Sequence, residues 1–91
     1  MIIEHRVKKK PIAVKCVQFT KDLTDHELRT WSNRNAFIAQ LDREDEPCVI
    51  IIHQDGAMRA HYGDWIMMGS YEDVYPIRED VFNATYDFVR D

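Results

Sequence analysis

The sequence predicts an α+β domain: one mostly antiparallel sheet of about four to six short strands, one helix packed on it and a short C-terminal helix. Three observations carry this. A capping box marks a helix start at Thr24. Short β-branched and aromatic runs, separated by Gly and Asp turns, recur from Cys48 to Ile77. The chain has 91 residues without a repeat or linker, which suits one domain spanning 1–91.

Ile12–Phe19 is rich in Val, Ile and Phe, and Pro11 precedes it, so it reads as the first strand. Apolar residues fall on both of its faces, which implies cover on both sides. In Thr24-Asp25-His26-Glu27 the Thr24 hydroxyl can accept from the Glu27 amide, and Glu27 can reach back to the Thr24 amide. Leu23 and Leu28 have hydrophobic-staple spacing. Leu28 and Trp31 share a face that would lie on the sheet. Asn33-Arg34-Asn35 ends the helix.

Ala36–Leu41 reads as a short strand and Asp42–Glu46 as a charged loop that resists burial. Cys48–His53 contains four consecutive β-branched residues and reads as a central strand. Asp55-Gly56 is the favoured type I′ pair, so Val49–His53 and Ala57–His61 should form a hairpin. Trp65–Met68 and Tyr71–Ile77 are further strands, the latter held to an edge or ended by Pro76. Arg78-Glu79-Asp80 starts a short helix with Phe82 and Tyr86 on one face.

Composition narrows the function classes. Hydrophobic residues make up 45% and charged residues 31%, which excludes a disordered chain. Uninterrupted apolar stretches such as Val49–Ile52 fall far short of the ~18 residues of a membrane span. The first ten residues carry charges and no apolar core, so no secretion signal is expected and the cytoplasm is the expected location. Cys16 and Cys48 lie in no metal-ligand spacing and are expected to be buried free thiols.

Net charge is −4, unevenly placed. Residues 1–15 hold Arg6, Lys8, Lys9, Lys10 and Lys15 against Glu4, a net of +4, and the remainder holds seven basic and fifteen acidic residues, a net of −8. Residues 1–10 form either a basic arm for an anionic partner or a lead-in whose lysines discourage edge pairing. The Lys8–Lys10 cluster leaves nucleic acid open as a partner, although the overall acidity disfavours it.

Two constellations bear on chemistry. Arg59, Tyr62, Trp65, Tyr71, Tyr75 and Arg78 gather around two turns, and arginines with aromatics suit a protein interface or a base-stacking pocket. His53, His61 and Asp64 are weak candidates for a metal or acid–base site, with no recognised zinc spacing. Packing and turn chemistry explain the same residues. No catalytic residue and no cofactor is implied, and with only three glycines there is no phosphate loop. A homodimer through strand edges or sheet faces would cover large side chains that a small domain leaves out.

The stretch Gly63-Asp64-Trp65-Ile66-Met67-Met68-Gly69, then Val74-Tyr75-Pro76-Ile77, then Asp80-Val81-Phe82-Asn83-Ala84-Thr85-Tyr86, resembles a widespread group of small bacteriophage and prophage proteins of unknown function. The opening Lys9–Phe19 segment resembles the group's first strand. Two departures fall in turns. Tyr62 stands where a proline is usual, and Ser70-Tyr71-Glu72-Asp73 replaces a valine, a small residue and Gly-Glu. The resemblance implies a phage origin and no activity. Together these features lead to the expectation of a non-enzymatic module that binds a host or phage macromolecule. The alternatives are a nucleotide-like ligand at a dimer interface and a metal-dependent hydrolase.

Overall fold

The order of elements is β1 (Lys15–Gln18), α1 (Asp25–Trp31), β2 (Ala36–Ala39), β3 (Cys48–His53), β4 (Gly56–Ala60), β5 (Trp65–Met68), β6 (Val74–Ile77) and α2 (Glu79–Thr85). These come from a computed structural model that describes residues 1–8 and 10–89. The fold class is α+β, with six strands and two helices. The strands form two antiparallel sheets rather than one: β1-β5-β6 and β2-β3-β4.

The split arises between β4 and β5. Gly63 has φ of +94°, a left-handed value that favours glycine. Asp64 closes this turn: its Oδ2 accepts from the His61 N–H at 2.9 Å, and its own N–H donates to the His61 carbonyl at 2.9 Å. The Gly63 N–H donates to Phe19 and the Phe19 N–H donates to Asp64, each at 2.9 Å. The chain is thus turned onto the extension of β1, and β5 pairs there instead of continuing the meander.

The facing sides of the two sheets form the core. Val17, Ile66, Met68 and Val74 of one sheet meet Ala36, Ile38, Val49, Ile51 and Ala60 of the other, with Phe19 and Leu28 between them. Ile66 and Met67 are both buried, so β5 is covered on both faces. On its second face Trp65 stacks on Phe82 of α2, with ring centroids 4.1 Å apart.

Several boundaries differ from expectation. β1 starts at Lys15, because its ladder ends at the Lys15–Met68 pair and β5 stops there. Ile12 stays 59% exposed, and the Ile12 N–H bonds the Lys10 carbonyl around Pro11, a three-residue turn. In the β3–β4 hairpin His53 pairs with Gly56, so the two loop residues are Gln54 and Asp55. Neither has positive φ, and a type I′ turn needs it at both positions, so the expected Asp55-Gly56 turn is displaced by one residue. Gly56 takes the unusual backbone instead, at φ +137°.

α1 forms as read. Thr24 Oγ1 accepts from the Glu27 N–H at 3.1 Å, and Glu27 Oε1 accepts from the Thr24 N–H at 3.2 Å. α1 lies beside the edge strand β2 and sends Leu28 into the core. Cys48 is buried and Cys16 half-buried, and both are free thiols. Burial pushes the Cys16 thiol pKa up.

Candidate interaction surface

The predicted arginine–aromatic cluster is dispersed by the fold. Tyr62 stacks on Phe19 at 4.6 Å and packs against the core. Trp65 lies under α2 with Phe82 and Phe88. Tyr75 occupies the same sheet face as Trp65, since Met67 pairs with Tyr75 and Trp65 with Ile77. Burial raises the Tyr75 hydroxyl pKa, and the neighbouring Tyr86 adds to the rise. Tyr71 is 95% exposed at the β5–β6 turn. Arg59 is paired with Glu44 at 3.1 Å and Arg78 with Asp80 at 2.7 Å. Trp65 and Tyr75 are therefore packing residues of one aromatic layer, and both arginines are already engaged by carboxylates.

The histidine constellation also separates. The ladder puts His53 beside the hairpin loop and His61 beyond its far end, roughly 17 Å away at ~3.4 Å per strand residue. Asp64 is near His61 alone, at 3.9 Å, and serves the turn. Among the described residues no group of three or more His, Cys, Asp or Glu is placed to hold a metal ion. His53 instead borders an open cleft of about 360 Å³ with Ile52, Asp55, Glu72 and Asp73.

What the structure leaves unpartnered lies elsewhere. Each three-stranded sheet has two edges, and an edge exposes backbone groups able to pair with another chain. In β2 the Ile52 N–H donates to the Asn35 carbonyl, which by ladder alternation turns the backbone of Ala36 and Ile38 outward. Both outward N–H groups are taken by side chains. Ser32 Oγ accepts from Ala36 at 3.0 Å, and Asp25 Oδ1 accepts from Ile38 at 2.8 Å. The backbone bond from Ile38, helped by Arg29, holds the Asp25 carboxyl below its usual pKa. In β6, Pro76 removes an edge donor. In β4 the backbone of Ala57 and Arg59 faces away from β3, and beyond them the His61 N–H is taken by Asp64 Oδ2.

β1 is different. Phe19 N–H bonds Asp64 in continuation of the β1–β5 register, so Lys15 and Val17 face β5 and the backbone of Cys16 and Gln18 faces away. Among the described residues no strand pairs with that side of Cys16 and Gln18. The segment leading into β1 adds to the open edge. Ile2 and Val7 are each 93% exposed, and Met1, Ile3 and Ile12 are exposed with them. Arg6, Lys8, Lys10 and Lys15 have no ion-pair partner among the described residues, and Lys9 lies outside those residues. The cations were legible in the sequence. The apolar residues between them were also a signal, because Met1-Ile2-Ile3 and Val7 have no element of their own to pack on. The open edge was not legible, since it depends on β1 pairing with β5 some fifty residues on.

Comparison of the chain with protein-family models, curated proteins and solved structures found no match. Among the described residues no helix is long and apolar enough to cross a membrane.

Proposed function

We propose that this chain is a non-enzymatic interaction module, a small phage or prophage accessory protein that binds a host or phage macromolecule in the bacterial cytoplasm. One observation carries the binding reading. The N-terminal segment presents exposed aliphatic side chains and cations without an ion-pair partner among the described residues, and it leads into a strand edge whose outward backbone has no pairing strand among them. Isolated exposed apolar residues are ordinary, but a contiguous run of them marks a binding surface. The phage assignment rests on the resemblance of the Gly63–Tyr86 pattern alone. The pocket alternative loses support because Arg59 and Arg78 are paired and Trp65 is packed. The hydrolase alternative loses support because His53 and His61 lie at opposite ends of one hairpin.

The test is affinity capture from bacterial lysate followed by native mass spectrometry, with the wild type and an Ile2→Ser/Ile3→Ser/Val7→Ser variant. A stoichiometric protein partner that the variant loses is the expected result. A wild-type chain that emerges alone, or carrying only a small-molecule mass, would contradict the reading.

A further inference from the structure

We propose that the β1 edge takes an extended, acidic peptide segment of the partner as an added strand; this rests on the interaction reading above and names the chemistry of its ligand. Edge-strand addition needs backbone donors and acceptors that point out of the sheet, and Cys16 and Gln18 supply them. It also needs the edge to be clear. Of the four sheet edges, β2 is closed by Ser32 and Asp25 and β6 carries Pro76, which leaves β1 and β4. On β4 the one cation, Arg59, is already paired with Glu44, whereas the cations at β1 have no carboxylate partner among the described residues, so charge singles out β1.

Charge selects the occupant. Lys15 lies on the edge strand, and Arg6, Lys8 and Lys10 precede it, all without a carboxylate partner among the described residues. The other 76 residues are acidic, with a net of −8, yet among the described residues no carboxylate pairs with these cations. These cations are free to meet carboxylates of another molecule. A second copy fits poorly, because pairing β1 with itself brings two basic segments to one ladder, and like charges across strands disfavour it. Carboxylates of an added strand would meet Lys15, which lies on the edge strand itself.

The probe is a synthetic peptide of four Glu-Val repeats, with four Lys-Val repeats as control. Amide exchange of the full chain is followed residue by residue at millimolar peptide. The expected result is at least tenfold slower exchange at Cys16 and Gln18 with the acidic peptide, none with the basic one, and weakening as salt rises. A Lys8→Glu/Lys10→Glu/Lys15→Glu variant should reverse the preference while leaving the edge intact. Cys16→Pro should abolish binding to either peptide, since an edge proline removes only the outward donor. If Cys16→Pro fails to fold, the charge variant still decides.

No protection with either peptide overturns the proposal, as does equal protection with both. Protection of the same amides by self-association in the absence of peptide would make the occupant a second copy and overturn it. Binding to anionic phospholipid vesicles with Cys16 and Gln18 still exchanging freely would move the cations' role to a membrane and overturn it. If the peptides fail while affinity capture still yields a partner that depends on Ile2, Ile3 and Val7, the interaction reading survives and only the edge assignment falls.

Discussion

Two single residues show how local chemistry sustains this fold. Ser32 is fully buried at the end of α1; its Oγ accepts from the Ala36 N–H at 3.0 Å and donates to the Ala36 carbonyl at 3.3 Å. Ser32→Ala strands both groups away from water, so a loss of about 1–3 kcal/mol is expected, read by denaturant melts. Glu72 has φ of +62°, a left-handed value that costs a non-glycine residue about 1–2 kcal/mol. Glu72→Gly should therefore stabilise the protein by up to about 1 kcal/mol, after the added freedom of the unfolded chain is subtracted. That corresponds to a rise of about 4–8 °C in Tm for a domain of this size. An unchanged or lower Tm would show that the turn does not strain Glu72. Neither feature was legible from residue type alone, because a serine and a glutamate declare nothing until the backbone around them is known.

At the level of elements, local signals read well and long-range ones did not. The Thr24–Glu27 capping box appears in the structure as written in the sequence, since all its bonds lie within four residues. The β3–β4 hairpin was also legible, yet its register was off by one because Gly56 takes its unusual φ outside the two loop positions. The closure of the β2 edge could not be read, as it links Asp25 to Ile38 across thirteen residues. That bond has a pH signature. Asp25 is held below its usual pKa, first by the Ile38 N–H and then by Arg29. A depressed carboxyl contributes stability above its unfolded value, about 3.9, and the contribution fades as pH falls through the lower native value. The stability difference between wild type and Asp25→Ala should therefore be level from neutral pH down to the unfolded value and shrink as pH falls further through the lower native value. A difference that persisted at pH 2 would mean that Asp25 acts through packing and not through its charge.

Across the whole molecule, the α+β class and the strand count followed from patterning, whereas the division into two sheets did not. That division depends on Gly63 and Asp64 turning the chain onto Phe19, a contact between distant segments. The same contact orients β1, and so determines which backbone groups face outward. The predicted site residues fared according to their chemistry. Large aromatics such as Trp65 and Tyr62 had a packing use close at hand and took it. Surface arginines found nearby carboxylates. The N-terminal cations and aliphatics found neither, and this places the candidate surface at the end of the molecule where charge asymmetry had first drawn attention.

The most direct measurement is amide exchange at Cys16 and Gln18, in the free chain and in the complex captured from lysate. The expected result is fast exchange in the free protein, beside slow exchange at Ala36 and Ile38, and strong protection at Cys16 and Gln18 once the partner is bound. Slow exchange at Cys16 and Gln18 in the free monomer would contradict the account, because the β1 edge would then already be closed.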